Sequence, residues 1–268
     1  KMLREQSEGF LAMAVPQILQ PLCALALRRG VEPDVVCALI RVFGLPPPPD
    51  FPQYWPYPVQ IRCFGGFELL VGGRSVPSQG KSKHRQMELI RIIAAHAPTP
   101  LAMGLISEIL WPDSEGDAAH HALETTLSRL RTTLGYNIFI VEHGAVSLDR
   151  KVCWLDTVAV HDAMALLEKQ VKQKDSRRIA TAERLLDLCR GELLFGEGAA
   201  WIMARREYWN SRITRTFSAL AAALAASGDA LSGARLLERV LELNPHSELV
   251  VHELMSICLD AGLHAEGI

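Results

Sequence analysis

The residues with the clearest potential for chemistry lie on one segment, 117–134. His121, Thr125, Ser128, Arg129 and Thr132 recur there at steps of three and four, which place side chains on one face of a helix. Ala118, Ala119, Ala122, Leu123, Leu127, Leu130 and Leu134 form an apolar stripe opposite, and Gly135 supplies a C-terminal stop. A helix of this kind fits the major groove of B-DNA, where base edges carry a distinguishing pattern of donors and acceptors. Arg129 offers a planar fork suited to a guanine edge, and Thr125 a group suited to a thymine methyl or a base edge. Arg131 is offset from that face and suits a phosphate contact or an intradomain ion pair. Lys81, Lys83, His84 and Arg85 open an earlier helical pattern. Cationic side chains and free amides at a helix start suit phosphate oxygens. His143, Arg150 and Lys151, in and after a later turn, complete the set of candidates.

Other constellations fail on spacing. His120 and His121 are adjacent, so on a helix they face different ways, and no carboxylate or cysteine has the offset to complete a metal site. Gly80-Lys81-Ser82 resembles the end of a phosphate-binding loop, but the motif needs glycine five residues earlier, where Ser75 stands. His252-Glu253 lacks the second histidine of a zinc protease, since Ser256 occupies that position. Asp187, Glu192 and Glu197 read as cap and loop residues. Trp111, Trp154 and Trp201 read as packing anchors. No nucleophile, base and acid stand at interpretable spacing, so we expect no enzyme, no cofactor and no metal. The six cysteines form no CxxC pair, and we expect reduced, mostly buried thiols in a cytoplasmic protein.

The elements that must position the polar face follow from hydrophobic period. Residues 59–64 and 67–71 alternate and are separated by Gly65-Gly66, which reads as a hairpin, with a short third strand at 74–76. Helical spacing returns at 82–96, 101–110 and 117–134. Residues 138–141 and 145–148 flank His143-Gly144 as a closing hairpin, which we expect 152–155 to extend. Helices are expected at 159–172, 176–190, 199–227, 230–243 and 247–261. Gly228 and Gly262 stand 34 residues apart, and Gly233 and Gly267 repeat the spacing. That helix–turn–helix period is the tetratricopeptide one.

Seven of the fifteen prolines fall within 44–58, so neither helix nor central strand runs through it. Its Phe51, Tyr54 and Trp55 are expected to pack on a neighbour. Residues 1–43 read as short helices, one at 32–43 with Val35, Val36, Leu39, Ile40 and Phe43 on its apolar stripe. The 268 residues suffice for about two domains, and 49% apolar with 22% charged residues is globular composition. No apolar run reaches the roughly 18–20 residues that span a bilayer, and no signal-peptide pattern opens the chain. A start at Lys1 and a stop at Ile268 inside a helical pattern lead us to expect a piece of a longer protein.

Leu127-Ser-Arg-Leu-Arg131 followed by Leu134-Gly135 resembles the recognition-helix signature of OmpR-type response regulators. Gly80-Lys-Ser-Lys-His-Arg-Gln-Met-Glu-Leu and Leu110-Trp-Pro-Asp resemble that domain in a bacterial family of antibiotic-pathway and large maltose-activator-like regulators. Gly191-Glu-Leu-Leu-Phe-Gly196 is similar to a structural loop of the same family. The resemblance implies a mainly α protein with small β-sheets: an OmpR-like winged helix followed by a helical TPR-like domain. Its parts would be a helical segment 1–44, a proline-rich linker 45–58, a winged helix 59–155 and a bacterial transcriptional activation domain 156–268. It implies sequence-specific double-stranded DNA binding and transcriptional activation; we expect contact with RNA polymerase, a homodimer or tandem assembly on DNA, and no membrane partner. The wing lacks the glycine–tyrosine pair common in such domains. Residues 59–154 hold ten Lys and Arg against nine Asp and Glu, a net charge of +1. DNA affinity rests largely on phosphate neutralisation, so this balance also motivates a second expectation: a helical interaction scaffold whose winged helix does not bind DNA.

Overall fold

The computed structural model describes residues 16–45, 47–48, 55–77, 81–114 and 116–262, apart from the side chains of Pro16, Gln17, Lys81 and Ser82. Helices α1 (Pro16–Arg28) and α2 (Pro33–Phe43) pack against each other. Pro33 opens α2, because its missing N–H lies where no helical bond is made. Val36 and Ile40 are buried, but Val35 is exposed, so the apolar stripe is narrower than expected. Leu45, Trp55 and Tyr57 close this small core against Trp154, and the Trp55 indole donates to the Leu45 carbonyl at 3.0 Å. Phe51, Tyr54, Gly267 and any helix before residue 16 lie outside the described residues.

Strands β1 (Val59–Arg62), β2 (Glu68–Val71) and β3 (Arg74–Ser75) form the expected antiparallel ribbon. Helices α3 (Lys81–His96), α4 (Met103–Leu110) and α5 (Gly116–Leu134) follow. Strands β5 (Phe139–Glu142) and β6 (Ala145–Leu148) make the closing hairpin. Two expectations need correcting. Leu101-Ala102 is a short strand, β4, paired with Val146 and Ala145, and α4 begins only after it. Strand β7 (Cys153–Leu155) does not extend the closing hairpin. It joins the first sheet, parallel to β1, in the order β3-β2-β1-β7. Its two buried residues face a core built from the start of the winged helix.

Helices α6 (Asp156–Gln173), α7 (Arg178–Leu188), α8 (Ala200–Ala226), α9 (Ala230–Leu243) and α10 (Glu248–Asp260) complete a mainly helical chain with two small sheets. One buried apolar cluster runs from β1 and α3 into α10. Helix α3 lies between the two halves, and Leu89, Ile90, Ile92 and Ile93 on its different faces are all fully buried. Two close approaches demand glycine. A Cβ on Gly65 would stand 2.8 Å from the Arg190 carbonyl, where the first hairpin turn meets the loop after α7. A Cβ on Gly233 would stand 3.0 Å from the Ala221 carbonyl, where α9 crosses α8.

Candidate nucleic-acid interface

Helix α5 docks through Ala119, Leu123, Thr126, Leu127, Leu130 and Leu134. Ala118 is exposed, a correction to the expected stripe, whereas Thr126 is buried and its hydroxyl donates to the Ala122 carbonyl at 2.7 Å. His121, Thr125, Ser128, Arg129 and Thr132 are all exposed. Arg85, near the start of α3, joins them: with Trp111, His121, Thr125 and Arg129 it lines an open groove of about 410 Å³. Among the described residues neither Arg85 nor Arg129 has an ion-pair or hydrogen-bond partner. Two open guanidinium groups from different helices thus border one concave surface.

The remaining candidates separate. Lys83 is half-buried and His84 exposed on α3, and the Lys81 side chain lies outside the described residues. Arg131 donates from Nε to Asn137 Oδ1 at 2.9 Å, an intradomain contact beside the face. The Thr132 hydroxyl donates to the Ser128 carbonyl at 3.3 Å. His143 sits at the β5–β6 tip with φ +51, and the neighbouring Gly144 carbonyl accepts from the Met103 amide, which seats the tip on α4. Arg150 and Lys151 lie after β6, at the base of that hairpin rather than at its tip. Arg150 is ion-paired to Asp162 of α6.

Sequence reasoning passed over Glu124. It lies on the exposed stripe, with His120 Nε2 and His121 Nδ1 each 3.6 Å from its carboxylate oxygens. Its step of three from His121 was the available signal, and its charge made it an unattractive partner for phosphate.

Contacts to the last turns of α3 set where this surface points. The Ala95 carbonyl accepts from Trp209 Nε1 at 3.0 Å and from Arg205 at 3.2 and 3.3 Å, and the Ala94 carbonyl accepts from Thr157 Oγ1 at 2.8 Å. A cation and donors at a helix C-terminus complement its dipole and its unmet carbonyls. Arg91 is buried between Glu88 (3.3 Å) and Glu197 (2.9 Å), with its guanidinium 4.6 Å from the centre of the Phe67 ring. Trp201 donates to Glu88 at 3.0 Å. Asp156, fully buried at the start of α6, accepts from the amides of Cys63, Phe64 and Thr157 at 2.7–2.8 Å. Burial pushes its carboxyl up to about 6 in spite of those bonds. Burial, the largest cause, also holds His96 below the usual imidazole range. All six cysteines are free thiols. Among the described residues no group of three or more His, Cys, Asp or Glu could hold a metal ion, and no helix is long and apolar enough to cross a membrane.

A winged helix whose core continues into a helical domain is the class of fold that these elements define. The chain is similar in structure to Mycobacterium tuberculosis EmbR, solved in complex with a low-affinity phosphopeptide, with a TM-score of 0.54 and 18% identity. The similarity covers 76% of this chain and 56% of EmbR, so the chain spans little more than half the length of that protein. No family model and no curated protein matches the chain.

Proposed function

We propose that this chain is a cytoplasmic regulator of transcription, an activator, that binds double-stranded DNA with α5 in the major groove. The observation that carries this reading is the groove bordered by Arg85 and Arg129, two guanidinium groups on adjoining helices without partners among the described residues. Arg129 and Thr125 read base edges. His121 and Ser128 border the same face. Arg85 and Lys83 meet backbone phosphates, where they position the helix without specifying sequence. The 59–155 unit does the binding, and the helical 156–268 unit offers its outer surface to RNA polymerase or to a second copy. A net charge of only +1 over 59–154 gives one copy little phosphate neutralisation, so binding needs a homodimer or a tandem array.

Selection of bound duplexes from a random library, at about 0.1–0.15 M salt to weaken nonspecific phosphate contacts, tests the reading. The expected result is an enriched motif, with two half-sites, that disappears for Arg129→Ala. A folded protein that enriches nothing, alone or at high concentration, would refute DNA readout and favour a helical interaction scaffold, which the near-neutral charge also fits.

A further inference from the structure

A cavity of about 370 Å³ lies where Tyr57 of the proline-rich stretch meets β7, α6 and α7. Its volume falls within the range of small-molecule sites, which are largely apolar with a few convergent polar groups. Val158, Ala163 and Leu166 of α6 and Leu188 of α7 supply apolar walls. Four residues that line it carry a polar group without a hydrogen-bond partner among the described residues: Tyr57 and Thr181 through their hydroxyls, Trp154 through its buried indole Nε1, and Arg184 through its guanidinium. Tyr57 is only 7% exposed as a residue, and a buried donor left unmet, as the Trp154 indole is, is costly. Burial also pushes the Tyr57 phenol up to about 12, so it remains a donor at neutral pH.

The charges select the ligand. Arg150 and Asp162, on the same wall, are paired with each other. Arg184 is left as the lining charge without a partner among the described residues. A neutral ligand covering the cavity would strip water from that guanidinium and return nothing to it. A dianion would carry one charge too many and meet Asp162. A monoanion with a planar head matches the fork of an arginine, and the aliphatic walls call for a hydrocarbon or aromatic body.

We propose that this cavity binds a small apolar carboxylic acid. Its body lies against α6 and α7, its carboxylate sits on Arg184, and the hydroxyls of Tyr57 and Thr181 donate to the carboxylate oxygens. Tyr57 also belongs to the small core that seats α1 and α2 against Trp154. A ligand bridging Tyr57 and α7 therefore strengthens the seating of those helices by preferring the docked arrangement.

Calorimetric titration of the full chain with 2-naphthoate and with octanoate tests the proposal, with 2-naphthamide as the neutral counterpart. Saturable binding of either acid is expected, weakened about tenfold or more by Arg184→Ala and abolished by Ala163→Phe, which fills the cavity. Arg184 is exposed, so its replacement leaves the fold intact. If Ala163→Phe unfolds the protein, as circular dichroism would reveal, Arg184→Ala decides alone. Three results would overturn the proposal: no saturable binding to folded protein at millimolar acid, equal affinity for the amide, or affinity unchanged by Arg184→Ala.

Discussion

Arg129 and Lys83 answer to different physics in the proposed complex. Arg129 is exposed on the outward stripe of α5 and has no partner among the described residues. In the proposed complex its removal costs about 1–3 kcal/mol at one base position and relaxes specificity there. Lys83→Ala weakens binding evenly across sequences and lowers the slope of log affinity against log salt by about 0.9. Binding isotherms at several salt concentrations separate the two effects, and identical behaviour of both variants would contradict the division of roles. Asp156 is the residue to test for stability. Its oxygens accept three amide bonds, so Asp156→Asn turns an NH₂ donor towards backbone donors and costs about 1–3 kcal/mol. The pH dependence has a definite sign. The folded carboxyl titrates near 6, above its ordinary 3.8, so protons favour the folded state. The stability this residue supplies is complete below about pH 4 and declines as pH rises through about 6. Urea unfolding at pH 4.5 and 7.5 should show the gap between wild type and Asp156→Asn narrowing at the higher pH. A gap that widens would reverse the assignment.

At the scale of elements, local pattern was most legible where one segment carries its own signals. Asp229, which accepts from the Ser232 amide at 3.3 Å as an N-cap, and the break at Asn244-Pro245 bound α9 at the residues expected. Gly65-Gly66 and His143-Gly144 likewise marked the β1–β2 and β5–β6 turns. What local pattern missed was settled by distant partners. Strand β7 pairs with β1 across roughly ninety residues, a register that no local alternation encodes. Leu101-Ala102 became a strand because β6 offered it an edge. For the candidate surface, spacing revealed the face of α5 but neither the approach of Arg85 to Arg129 nor the capture of Arg150 by Asp162. Those depend on how helices pack. Gly65 and Gly72 show the difference between local and packed demands. Both have positive φ, +77 and +57, but only a Cβ on Gly65 meets backbone, 2.8 Å away, while Gly72 has open space. Gly72→Ala should therefore cost only about 1–2 kcal/mol of left-handed strain. Gly65→Ala adds the displacement of the Arg190 loop and costs more. Denaturant midpoints compare them directly, and equal losses would mean that the Arg190 loop yields without resistance.

At the scale of the molecule, the winged helix and the helices after it share one apolar core, while α1 and α2 belong to a second, smaller one. Trp209 sits at the centre of the larger core. It is 1% exposed, packs edge-on against Phe64 with ring centres 5.7 Å apart, and donates to the Ala95 carbonyl. It thus touches the first hairpin, the end of α3 and the long α8 together. Two independently folding halves would each keep their own protection when this junction is damaged. A shared core requires them to open together. Native-state hydrogen exchange should show α3 and α8 opening with a common free energy, with α1 and α2 opening at a lower one. Trp209→Ala should lower the protection of α3 and α8 in step, by about 3–5 kcal/mol, and change α1 and α2 little. Loss confined to α8, with α3 still protected at its original level, would show that the winged helix stands on its own. The direction in which α5 presents Arg129 would then no longer be set by the helices behind it.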